Sequence, residues 1–167
     1  MSEIDPNILV PAVAAIAGAF VGSVATVIPT LITGWFGRRR ETKKIKAALI
    51  AEISALVTIA EERKYLQGLE EAQKCLERQT SGATYCIAVR IPEHYSRIYQ
   101  ANAERIGLLK PETARKIVHF HQFIDAIVQD VTSGGALAEG SELDGFVEAA
   151  TILRRALQLG KELSSDT

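Results

Sequence analysis

Hydrophobic positions in this chain follow two regimes. From Ile8 to Phe36 no charged residue occurs, whereas beyond Arg38 apolar residues recur among charges at three- and four-residue spacings. The first regime predicts one membrane-spanning helix, since about twenty residues at 1.5 Å each cross a hydrocarbon core of ~30 Å. Pro11 falls in its first turn, and Pro29, inside the run, predicts a kink or an interfacial turn. Trp35 and Phe36 then lie at the headgroup level. Small residues at Ala14, Gly18, Gly22 and Thr26 flatten one face, and Gly18 and Gly22 have the spacing of close helix contacts in lipid. The simpler account is that Gly and Ala are common in any membrane helix.

The second regime predicts helices. Ile45, Leu49, Ile53, Leu56, Ala60, Leu66, Leu69, Ala72 and Leu76 line one face of a helix running from Arg38 to about Gln79, a stalk with Gly68 as its weak link. The stretch Ala83 to Ile91 changes to strand-like residues, and with no second such run it pairs with another subunit or packs as an extended loop. Pro92 opens a helix ending at Gly107. Pro111 opens another, with buried face Ile117, Phe120, Ile124, Ile127, Val128 and Val131. Ser141 and Glu142 start the last, with face Phe146, Ala149, Ile152, Leu153, Ala156, Leu157 and Leu163. The fold class expected is all-α: one N-terminal transmembrane helix plus a cytoplasmic bundle of about four helices with one short extended segment. The segments are 1–7 periplasmic, 8–36 transmembrane, 37–46 basic juxtamembrane and 47–167 the helical domain.

Charge orients this layout. All 19 Lys and Arg residues stand at or after position 38, so the net charge of −1 conceals a sharp asymmetry. Arg38, Arg39, Arg40, Lys43, Lys44 and Lys46 follow the apolar run with Glu41 as their one acid, while Glu3 and Asp5 precede it. A secretory signal peptide would carry its cations in front. The positive-inside rule therefore predicts an uncleaved anchor in the inner (plasma) membrane, single-pass, with N-terminus out and C-terminus cytoplasmic. Each cation near anionic headgroups adds ~1 kcal/mol. At 47% hydrophobic and 23% charged, the composition suits a packed core and excludes a disordered chain.

Chemistry is sparse. Cys75 and Cys86 lack the spacing of a disulfide framework or a zinc motif and are expected as free buried thiols, with a Cys75–Cys86 bridge as the alternative. His119 and His121, two apart on a helix, point about 200° from each other and do not share a metal. No phosphate-binding Gly loop or nucleophile motif occurs, so neither enzyme activity, a metal nor a cofactor is expected. The richest zone is Thr80 to Arg105. There Arg90, His94, Arg97 and Arg105 are interleaved with Tyr95 and Asn102, cations for phosphates beside rings and amides for bases, and the Pro92 helix N-terminus adds anion affinity. The competing account packs Tyr95 and Tyr99 in the bundle and pairs the arginines with Glu93 and Glu104. The lone strand-like run and the apolar stalk predict a homo-oligomer, dimer or tetramer. The lipid bilayer is the other expected partner, and duplex nucleic acid is not one.

The stretch from Ile91 to Phe120, with Tyr95 or Tyr99, Asn102, Ile106 to Leu109, Glu112, Ile117 and Phe120, resembles many small bacterial membrane proteins. The whole layout, a single membrane helix, a basic junction and a helical domain, resembles the CRISPR-associated membrane effectors of type III systems. That resemblance implies an oligomeric antiviral effector whose cytosolic domain binds cyclic tetra-adenylate and whose membrane part perturbs the bilayer. The alternative is a non-enzymatic anchor or assembly subunit that binds another protein.

Overall fold

The computed structural model describes residues 38–79 and 82–165. The apolar run 8–36, with Gly18 and Gly22, lies outside the described residues, and among the described residues no helix is long and apolar enough to cross a membrane. The chain divides into two units, Met1–Lys43 and Lys44–Thr167. In the first, residues 38–43 are helical, with Arg38, Arg39, Arg40 and Lys43 exposed. The second unit is all-helical.

Residues 38–62 form α1, followed by α2 (Tyr65–Glu77), α3 (Arg97–Asn102) with a 3-10 turn (Ala103–Leu108), α4 (Pro111–Val131), α5 (Ala136–Glu139) and α6 (Leu143–Ser165). Pro111 occupies the first turn of α4, where its missing N–H is harmless, and Glu112 sits beside it. The apolar stripes then do what their period requires. Leu49, Ile53, Ile117, Phe120 and Phe146 are fully buried in one core with Leu69, Leu76, Leu153 and Leu163.

The expected stalk from Arg38 to Gln79 is two helices rather than one. Lys64 adopts the left-handed conformation (φ 54°, ψ 37°), which ends α1 and starts α2. A non-glycine residue there costs roughly 1–2 kcal/mol. Burying the apolar faces of both halves, Ile45 to Ala60 and Leu69 to Leu76, against one core offsets that cost.

The helix expected to open at Pro92 begins only at Arg97, because residues 93–96 form turns. Glu52 of α1 fixes that start. Its two carboxylate oxygens accept the Ile98 and Tyr99 backbone N–H groups at 2.6 and 2.8 Å, caps that Ser96, the residue before α3, does not supply.

The strand-like run packs within the chain as an extended segment. Tyr85 bridges Ser141 in antiparallel fashion, while Ile87 N–H donates to the Leu137 carbonyl and Val89 N–H to the Val131 carbonyl. Those donors need no second subunit. Cys75 is half-buried and Cys86 exposed, so the expectation of two buried thiols fails for Cys86, which lies on this extended segment.

Helix α6 packs tightly against α1 and α4 at Gly160. A Cβ there would lie 2.5 Å from Val57 Cγ2 and 2.8 Å from Phe120 Cε2. We therefore expect Gly160→Ala to lose ~1–3 kcal/mol in urea unfolding, the usual cost of overpacking. Gly68→Ala, where a Cβ meets nothing within 4 Å, should gain ~0.5–1 kcal/mol from helix propensity. Equal stability of Gly160→Ala and wild type would contradict this packing.

Candidate functional site

The extended segment does more than connect helices. Its inward residues Ile87, Val89 and Ile91 form one wall of a cavity of about 470 Å³. Leu56, Ile59 and Ala60 of α1, Tyr65, Gly68 and Leu69 of α2, Pro92 at the end of the segment, Ile124, Ile127, Val128 and Val131 of α4, and Leu153 of α6 supply most of the remaining lining. The deepest of these are nearly inaccessible to solvent, Leu153 at 2% and Leu69 at 3% exposure. Volume and apolar lining both match small-molecule sites.

Every formal charge on the lining is positive. Arg63, Lys64 and Arg90 lie at the exposed rim, and no carboxylate is among the lining residues. Among the described residues none of the three is in a salt bridge. Arg63 Nη1 donates to the Tyr65 hydroxyl at 3.4 Å, and the left-handed turn at Lys64 carries both cations on this rim. Tyr95 also lines the cavity, and its hydroxyl donates to Asp125 Oδ1. Burial raises the Asp125 carboxyl above the usual range.

Of the residues singled out in the sequence, Arg90 and Tyr95 thus meet at one cavity. His94 is exposed in the turn before α3, Arg97 is exposed at the first position of α3, and Arg105 is exposed in the 3-10 turn. Asn102 directs its amide N–H to the Ile98 carbonyl at 2.8 Å, a local bond within α3. The α3 N-terminus, whose amides were expected to attract an anion, already holds the Glu52 carboxylate. Arg63 and Lys64 were missed because they belong to an ordinary charged stretch with no Gly or Pro to announce the break. Glu52 did leave a signal, a lone acid three residues after Leu49 on an otherwise apolar stripe.

A wider depression of about 830 Å³ runs between α2 and α6, lined by Lys64, Glu70, Arg154, Lys161 and others. Two ion pairs cross it, Arg154 with Glu70 at 2.8 Å and Lys161 with Glu61 at 2.6 Å. Such mixed, paired surfaces select weakly for any ligand. Among the described residues no group of three or more His, Cys, Asp or Glu is arranged to hold a metal.

His119 is exposed, whereas His121 is fully buried. The His121 ring stacks on Tyr99 at 3.8 Å between centroids and meets Phe120 edge-on at 5.3 Å, and neither nitrogen has a hydrogen-bond partner. Its role is that of a flat neutral spacer in the core.

No protein-family model, curated protein or solved structure matches the chain.

Burial lowers the His121 pKa from 6.5 to about 4. The unfolded chain therefore binds a proton at this residue between pH 6.5 and 4 that the folded chain refuses, and stability falls as pH falls through that window. The loss amounts to about 3 kcal/mol once pH is below the folded value. Denaturation of His121→Leu beside wild type isolates this effect from Asp125 and Asp130, whose raised pKa values act in the opposite sense. The variant should lose much less stability between pH 6.5 and 4. Parallel pH curves for the two proteins would contradict the assignment.

Proposed function

We propose that the chain is a non-catalytic receptor held at a membrane, in which the Lys44–Thr167 unit takes a small ligand into the cavity bounded by residues 87–92. One observation carries this reading: a preformed apolar cavity of about 470 Å³ whose only formal charges are cations at its rim. Supporting it from the sequence are the uncharged run 8–36 and the basic residues Arg38, Arg39, Arg40, Lys43 and Lys44, which suit a membrane anchor with this unit on the cytoplasmic side. A ligand that binds one arrangement of the domain more tightly than another shifts the population toward it.

The resemblance to the type III effectors would make the ligand cyclic tetra-adenylate and the output antiviral membrane perturbation. That version needs Arg90, His94, Arg97 and Arg105 to converge between copies in a homo-oligomer. Within one chain, only Arg90 and Tyr95 of the six candidates line the cavity. Purine edges also need hydrogen-bond partners, and the cavity floor is aliphatic. The plain receptor reading is therefore the better supported of the two.

Native mass spectrometry of the full chain, released from lipid nanodiscs, tests the reading. Wild type should retain one small molecule per chain. Gly68→Phe, which places a ring where a Cβ meets nothing within 4 Å, should lose it while keeping its helical circular dichroism. Identical adducts on both proteins, or none on wild type, would overturn the proposal. Retention of cyclic tetra-adenylate by both, abolished by Arg97→Ala, would restore the nucleotide version.

A further inference from the structure

We infer that the cavity ligand is an anionic amphiphile with a single acyl chain, a fatty acid or a lysophospholipid bearing a free phosphate. The inference rests on the receptor reading and adds the chemistry of the ligand. Depth and charge are segregated along the cavity. Its most buried lining is aliphatic, with Leu69, Ile127, Val131 and Leu153 among it, and apart from the three cations the polar side chains on the lining are Tyr65 and Tyr95, whose hydroxyls are already engaged with Arg63 and Asp125. A hydrocarbon tail is the chemistry that such a floor accepts without leaving a buried polar group unpaired.

At the rim the requirement reverses. Arg63, Lys64 and Arg90 carry three positive charges with no lining carboxylate to balance them. A carboxylate or phosphate headgroup complements them and accepts charge-assisted hydrogen bonds, whereas an ammonium headgroup would be repelled. The backbone at Lys64 strengthens the point. Glycine adopts the left-handed conformation without cost, yet this turn carries a lysine, so a cation stands where the backbone alone would favour Gly. The volume of about 470 Å³ falls in the lower half of the small-molecule range and suits one chain, not two.

Photolabelling of the full chain in nanodiscs is the test. Dodecanoic acid, lysophosphatidic acid, dodecanol and dodecylamine probes, each with a terminal diazirine, are irradiated and the labelled peptides mapped, with yields normalised to the nanodisc scaffold protein. One or both anionic probes should label residues 63–69 and 87–92 about tenfold more than the amine, and the stronger of the two identifies the natural headgroup. Combining Arg63→Gln, Lys64→Gln and Arg90→Gln should bring the anionic probes down to the dodecanol yield, and Gly68→Phe should remove labelling by every probe. If dodecanol or dodecylamine labels wild type as strongly as the anions, the headgroup inference is overturned and the receptor reading stands. If no probe labels the cavity, both are overturned.

Discussion

The second unit depends on the absence of a side chain at Gly160. There α6 comes close enough to touch Ile53 and Val57 of α1 and Phe120 of α4 with nothing between them, and all three of those neighbours are buried. Interiors are packed at near-crystal density, so one such contact sets how far apart the remaining elements must sit. Away from Gly160, helices α1, α2, α4 and α6 and the extended segment leave the apolar cavity between them.

Two polar devices hold the irregular parts in place. Glu52, only 8% exposed, ties the short α3 to α1 through two backbone N–H groups, and the extended segment gives its own N–H groups to the carbonyls of Val131, Leu137 and Ser141. Buried backbone groups must find partners, and here these partners lie in the same chain. The two features that suggested an oligomer, a lone strand-like run and a long apolar stalk, are thereby both used inside one protomer.

What the sequence made legible follows from physical range. Helices α4 and α6 were readable because Pro111 and a sustained 3.6-residue period are local signals, and most of the positions on the faces that the spacing picks out are buried. Ile124, Val128 and Ile152 are half-buried, and His121 and Ala150 are buried beside those faces. The break at Lys64 was not readable, because the left-handed residue there is a lysine and is held by tertiary packing of the two halves. The late start of α3 was hidden for a similar reason, since its cap lies on another helix 46 residues away. At the site, Arg90 and Tyr95 could be named from the sequence because they lie on the extended segment and in the turn directly after it. Arg63 and Lys64 reach the same rim only through the break that local pattern does not encode.

In the proposed receptor, the cavity beside residues 87–92 is where the protein meets its ligand. Hydrogen exchange of the full chain in nanodiscs, with and without a saturating anionic amphiphile, tests it most directly. Ligand binding in the cavity should slow exchange in residues 63–69 and 87–92 alone, the Ile87 and Val89 amides included. Exchange unchanged in those segments while protection appears elsewhere in the unit would contradict it.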